Sequence, residues 1–338
     1  MRFVTFHDDT VGDTGDTSGD AVGRAGAGDA RIGGGERAGV VVDDRVHPLP
    51  AGVRLLDLLG DDGTALRTAG EQAAATDAEA RPLAEVRLKA PIPDPPSVRD
   101  FMTFESHFAG ALLTRGPDTE VPPRWYDAPA FYFTNPYAII GPADPVPIAP
   151  GSFMFDLELE VAAVIGRRGR DLAPDEADAH IAGYTLFIDW SARDLQVAEM
   201  EVGLGPAKGK DTATTLGPAL VTPDELEPYR SGPSFALRME ASVNGTSLGS
   251  DSLDSMAWSF GDLIAYASRG TEVRPGDLLG SGTCGEGCLA ELWGRHGFDS
   301  RPPLAAGDDV TVSVEHLGTM TMTLTEGSAP VAIPPARR

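Results

Sequence analysis

Between Phe153 and Val161 the chain alternates apolar and acidic residues, Phe-Met-Phe-Asp-Leu-Glu-Leu-Glu-Val, and then runs on as Ala-Ala-Val-Ile-Gly. A period of two is the signature of a β-strand, because successive side chains leave opposite faces of the pleat. Phe153, Phe155, Leu157, Leu159 and Val161 then share one face, and Asp156, Glu158 and Glu160 the other. Carboxylates two apart on a strand stand roughly 7 Å from each other at Cα, within reach of one cation. A hard divalent ion such as Mg²⁺ or Ca²⁺ removes their mutual repulsion and prefers oxygen ligands. The wet face of an ordinary amphipathic strand shows the same alternation, so the spacing alone leaves both readings open.

A chain of 338 residues is long enough for one large domain and a small one. With 41% hydrophobic and 23% charged residues it has the composition of a soluble globular protein. No apolar run approaches the ~20 residues of a membrane helix, and the start, Met1 to His7, turns polar too early for a secretory signal. The expected location is the cytoplasm. A net charge of −24 argues against a nucleic-acid partner, which would need Lys and Arg against phosphate. Lysine stands only at 89, 208 and 210, and two of the three fall in one Gly-rich loop, Gly-Leu-Gly-Pro-Ala-Lys-Gly-Lys. That loop lacks the spacing and the Ser or Thr of a phosphate-binding P-loop; it instead carries a lysine able to stabilise a developing oxyanion. Cys284 and Cys288 are too few for a disulfide framework or a closed zinc site.

Along the chain, residues 1–90 read as a small variable domain with strands at 2–6 and 38–42, a helical turn at 53–59 and a flexible loop at 8–36. The proline-rich stretch 91–96 is a stiff linker. Residues 97–116 read as a helix with a Ser cap and a Gly stop, which puts Asp100 and His107 on one face, two turns apart. A buried strand at 184–188 delivers Asp189, and Ser191 caps a helix on which Arg193 and Gln196 are neighbours. A hairpin at 237–251 turns at Asn244-Gly245, a helix spans 255–268, and 278–324 reads as short strands. Many strands and few scattered helices, without a βαβ rhythm, give a β-rich α+β fold.

Taken together, these pieces resemble the fumarylacetoacetate hydrolase family over 91–327, with 328–338 a flexible tail. The likeness rests on Asp156-Leu-Glu-Leu-Glu-Val, on Phe187-Ile-Asp-Trp-Ser-Ala-Arg-Asp-Leu-Gln196, on Gly209-Lys210 followed by Thr214-Thr215, on Met256-Ala-Trp-Ser-Phe, on Val273-Arg-Pro-Gly-Asp-Leu-Leu, and on Ser281-Gly-Thr283. It implies a mixed β-sandwich roll with a small N-terminal α/β domain. It also implies that Asp100, Glu158, Glu160 and Asp189 hold one divalent cation, Mg²⁺ foremost, with Ca²⁺ or Mn²⁺ as alternatives. By the same resemblance His107 is the general base, Glu291 the carboxylate that orients it, and Lys210 a third catalytic residue that, with the substrate-binding Arg193 and Gln196, holds the oxyanion or a carboxylate arm; Thr283 also binds substrate. The expected reaction is hydrolytic cleavage of a carbon–carbon bond in a 1,3-diketone acid, a small keto-acid substrate. The alternative is a decarboxylase, tautomerase or isomerase using the same enolate chemistry. Met102 and Met200 stand where the founding member would have substrate-contacting tyrosines, which implies a more apolar substrate arm. Some relatives are dimers, so a homodimer is expected.

Overall fold

Leu159–Ile165 is buried along its whole length and pairs antiparallel with Ile181–Asp189 on one side and Leu278–Gly280 on the other. The computed structural model describes residues 1–8 and 35–337, so the expected loop at 8–36 lies outside the described residues except at its ends. Among the described residues, the strand is central to a sheet of twelve. In spatial order its main path is Arg81–Pro82, Arg45–Pro48, Glu36–Val42, Arg2–His7, Thr214–Val221, Ile181–Asp189, Leu159–Ile165, Leu278–Gly280, Val98–Phe101 and Phe131–Thr134. A second sheet of five orders Thr246–Ser252, Arg238–Val243, Asp309–Val314, Gly318–Thr325 and Val146–Pro147. Its hairpin turns at Asn244 and Gly245 with φ of 51° and 74°, the paired positive values of a type I′ turn.

Both faces of the large sheet are covered. Val161, Ala163 and Ile165 enter one core with Leu186, Ile188 and, from the second sheet, Val310 and Val312. Ala162 and Val164 enter another with Phe187, Leu216 and the N-terminal Phe3 and Val40. A strand sealed on both faces is apolar throughout, as 161–165 is. The N-terminal residues Leu49 and Leu55, with Leu66 and Ala73 of the helix Thr64–Ala74, join this second core, while the N-terminal strands extend the same sheet through the pairing of Arg2–His7 with Thr214–Val221.

Several expectations are corrected. The alternating stretch is not one strand with a wet face. Phe155–Asp156 is a separate short strand against Ser191–Ala192, Phe153 is 75% exposed, and Asp156, Glu158 and Glu160 are all buried. Internal partners replace water on the acidic side, so the alternation marks a buried polar face. Residues 97–116 are not one helix either. Val98–Phe101 is a strand, parallel to Leu278–Gly280 and antiparallel to Phe131–Thr134, and the α-helix is Glu105–Leu112. Asp100 and His107 therefore share no helical face. The helix expected at 255–268 starts later, where Ser259 and Asp262 form a reciprocal capping box. The region read as short strands contains the helix Leu289–His296.

Trp190, between Asp189 and Ser191, is wholly buried and stacks on Phe155 at 6.0 Å between ring centroids. Its Nε1 donates to Thr215 Oγ1 at 2.8 Å, which ties the end of the Asp189 strand to its neighbour. Thr215→Val keeps the shape but leaves that buried N–H without an acceptor. Urea unfolding is expected to show a loss of about 1–3 kcal/mol at unchanged m-value. A loss within about 0.5 kcal/mol would show that this bond does not anchor the strand end.

Candidate metal centre and active site

Five neighbouring strands each bring one residue to the same place. Asp189 ends its strand, Glu160 lies near the start of the next, and Gly280, Asp100 and Tyr132 follow on successive neighbours, with Gly280 opposite Asp100 and Asp100 opposite Tyr132. Asp100, Glu160 and Asp189 are buried and each offers an oxygen within 4.8 Å of the others. Gly280 makes room for them: a Cβ there would stand 2.8 Å from Asp100 Oδ1 and 2.9 Å from Glu160 Oε2. The Gly282 amide donates to Glu160 Oε2 at 2.8 Å.

Asp100 Oδ1 and Asp189 Oδ1 are buried with no hydrogen-bond partner. Burial, and then the charge of Asp189, pushes the Asp100 carboxyl well above the usual range. Burial, and then Asp100, does the same to Glu160. Burial also raises Asp189, against the opposing pull of Lys210. Three buried carboxylates, two of them with an oxygen left unpaired, fit a hard divalent cation, whose charge would remove the cost of holding them together. Asp100, Glu160 and Asp189 are the residues placed to hold it.

Glu158, expected as a fourth ligand, carries two cations instead. Its Oε1 accepts from Arg193 Nη2 at 2.7 Å, and its Oε2 accepts from Lys210 Nζ. Burial would lift this carboxyl, but Arg193 and then Lys210 hold it below the usual carboxylate range. Lys210 Nζ also donates to Asp189 Oδ2 at 2.7 Å and Ser191 Oγ at 2.6 Å. Burial alone would lower its pKa; Asp189 and Glu158 raise it. Arg193 directs Nε and Nη2 to Asp156 Oδ2 at 2.9 and 2.7 Å, and Nη1 to Gln196 Oε1 at 3.2 Å. The donors expected to hold substrate are thus engaged within the protein: buried acids take those of Arg193 and Lys210, and Gln196 accepts from Arg193.

His107, the expected base, stands on one of a pair of helices. Glu105–Leu112 and Leu289–His296 approach through Gly110 and Gly294, where a Cβ on Gly294 would strike the Gly110 carbonyl oxygen. This closeness places His107 Nδ1 3.4 Å from Glu291 Oε2 and 3.7 Å from Cys288 Sγ. Glu291 also accepts from the Glu286 amide at 2.7 Å and Arg295 Nε at 2.9 Å. Burial would raise Glu291, but its partners, His107 first among them, hold it below the usual range. Asp156 accepts from the Leu289 and Ala290 amides at 2.8 and 3.0 Å, so a carboxylate remote in sequence satisfies the start of this helix. His107, Glu158 and Cys288 offer ligand atoms within 4.8 Å of one another, and Glu158 reaches the carboxylate trio through Lys210.

Thr283 is buried beside the buried Cys284. The Met102 carbonyl accepts from Trp125 Nε1 at 2.8 Å, and Met200 ends Arg193–Met200 36% exposed. Sequence reasoning missed Tyr132, whose hydroxyl donates to Asp100 Oδ2 at 2.7 Å and contacts Asp189 Oδ2. Its signal was faint: one hydroxyl inside Phe131-Tyr132-Phe133, which reads as core aromatics.

Residues 98–325 match the family model described as fumarylacetoacetate (FAA) hydrolase C-terminal. The chain is 30% identical over 242 residues to oxaloacetate tautomerase YisK of Bacillus subtilis (strain 168), covering 71% of this chain and 73% of that protein. It is 31% identical over 265 residues to the mitochondrial oxaloacetate tautomerase FAHD2A of Bos taurus, covering 77% and 76%. Its fold is also similar to that of a maleylpyruvate hydrolase from Sphingobium sp. SYK-6 solved with manganese(II) and pyruvate. There the TM-score is 0.62 at 23% identity, covering 86% of this chain and 97% of that one.

The raised carboxyls give cation binding a sign in pH. A buried acid with a raised pKa contributes stability fully below the ordinary carboxylate pKa and loses it as pH climbs through the raised value. A cation takes the place of the protons, so its stabilisation grows as they are lost. The rise in unfolding temperature given by saturating Mn²⁺ over chelator is expected to be several degrees larger at about pH 8 than at about pH 5. Equal rises at both would contradict the assignment of Asp100 and Glu160 as proton-holding ligands.

Proposed function

The chain belongs to the fumarylacetoacetate hydrolase family, and on that footing we propose that it is a divalent-metal-dependent enzyme interconverting the keto and enol forms of a small 2-oxo diacid of the oxaloacetate type. The observation that carries this reading is the linkage of two buried clusters, Asp100–Glu160–Asp189 and His107–Glu158–Cys288, through Lys210, which bridges Glu158 and Asp189, with His107 paired to Glu291. The names of the two relatives that match at about a third identity support the substrate class. Both of the reading's chemical demands, a polarised carbonyl and a proton acceptor, have residues to serve them.

Bound divalent metal supplies Lewis-acid polarisation of a 2-oxo acid. His107, with Nδ1 turned to Glu291, presents Nε2 as the base, and the acceptor on its far side fixes the tautomer and the orientation of the ring. It takes a proton from the carbon next to the carbonyl, the electron pair moves to the carbonyl oxygen, and the proton returns at that oxygen to give the enol. No bond between carbons breaks and nothing is oxidised. Lys210 holds Glu158 and Asp189 in place and keeps positive charge beside the forming enolate.

The expectation of hydrolysis rested on the presence of His107, Asp100 and Glu291 together. That set does not decide the reaction, because removing a proton from carbon needs the same base as removing one from water. Carbon–carbon hydrolysis is retained as the second reading, favoured by the same His107–Glu291 pair, which is equally suited to activating a water molecule.

The enzyme with Mn²⁺ or Mg²⁺ is expected to accelerate decay of the ultraviolet absorbance of enol oxaloacetate without forming new acids, and to lose this activity in chelator. His107→Gln is expected to lower kcat about 10²–10⁴-fold while leaving Mn²⁺ affinity within about twofold. Stoichiometric release of pyruvate from an acylpyruvate, with no effect on oxaloacetate, would favour the second reading over the first.

A further inference from the structure

Tyr132 takes no part in the chemistry above, yet its hydroxyl joins two of the three carboxylates. It lies opposite Asp100 in the antiparallel pair of Val98–Phe101 and Phe131–Thr134. From there it donates to Asp100 Oδ2 at 2.7 Å and contacts Asp189 Oδ2, on a strand three places away in the sheet from that of Asp100. The ring lies 5.9 Å from Lys210 Nζ, whose ammonium holds the same Asp189 Oδ2. The oxygens left bare are the other one of each residue, Asp100 Oδ1 and Asp189 Oδ1. Each carboxylate is thus gripped by one oxygen and open at the other.

We propose that Tyr132 is the positioning residue of the cation site, fixing Asp100 and Asp189 by their Oδ2 atoms so that both Oδ1 atoms are presented to one divalent ion. This inference deepens the functional reading and rests on its metal site. A carboxylate free to rotate must be ordered when an ion binds, and an outer hydrogen bond that orders it beforehand raises affinity. A phenol suits this position because it donates, it is stiffer than Ser or Thr, and its ring spans the distance from the edge of the strand array to Asp189. Asn or Gln could also donate, but would bring a second, competing carbonyl dipole.

The test is Mn²⁺ binding to the full chain, read from the electron paramagnetic resonance signal of free Mn²⁺ after chelator-stripped protein is titrated, with circular dichroism as the check of folding. Tyr132→Phe is expected to weaken Mn²⁺ about 10–100-fold, while Tyr137→Phe, at a residue 95% exposed, leaves it unchanged. Tyr132→Gln, a shorter donor, is the second variant should Tyr132→Phe not fold, and is expected to fall between wild type and Tyr132→Phe or, alone, below wild type. Mn²⁺ affinity within twofold of wild type, or tighter, in whichever variant folds overturns the role of Tyr132. So does a Tyr132→Phe chain that folds only with Mn²⁺ present, because the hydroxyl would then be replacing the ion rather than aiming its ligands. Failure of the wild-type chain itself to bind Mn²⁺ sinks the metal site, and with it the functional reading.

Discussion

Three carboxylates confined in a sheet that is sealed on both faces govern everything around them. Asp100, Glu160 and Asp189 are kept from water by the strands that carry them, and like charges this close raise one another's proton affinity. The surrounding structure answers that repulsion selectively. Arg193 is given to Asp156 and Glu158, and Lys210 to Glu158 and Asp189, while Asp100 and Glu160 receive no cationic side chain among the described residues. The imbalance has a direction. It places positive charge on Asp156, Glu158 and Asp189 and leaves Asp100 and Glu160 without a matching cationic side chain.

The lysine at 210, in a chain with only three, has a physical reason here. Arg193 is planar and divides its guanidinium among Asp156, Glu158 and Gln196. Lys210 places a single small ammonium among Glu158, Asp189 and Ser191, a space that a guanidinium fork would overfill. An arginine at 210 would need the carboxylates to part, and their separation is what gives the site its character.

Much of this was legible in the residues. The acidic alternation before an apolar run located Glu158 and Glu160, the buried strand ending at Asp189 was readable from its composition, and the Asn244-Gly245 turn lay where the chain said. What stayed hidden depended on partners far away in sequence. Val98–Phe101 follows a good helix cap and becomes a strand because Leu278–Gly280, some 180 residues further on, pairs with it, and Arg99 donates to Asp277 alongside that pairing. The helix holding Glu291 has Cys288, a weak acceptor, at its cap and relies on Asp156 for its first amides, so no local signal announced it. The partners of Arg193 and Lys210 were invisible for the same reason: a cation near a loop reads as free until the acids folded against it are seen.

The glycine at 280 has a wider consequence. The candidate ligands sit on strands whose spacing is fixed at about 4.8 Å by backbone hydrogen bonds, with an empty rung between Glu160 and Asp100. His107 and its partner Glu291 arrive separately, each on one of two helices packed against each other. The carboxylate cluster and the imidazole therefore belong to different parts of the architecture. Drift in the helices and their loops can retune what is turned over while the rungs keep the same coordination gauge, a division of labour that lets one scaffold diversify its chemistry without rebuilding its centre.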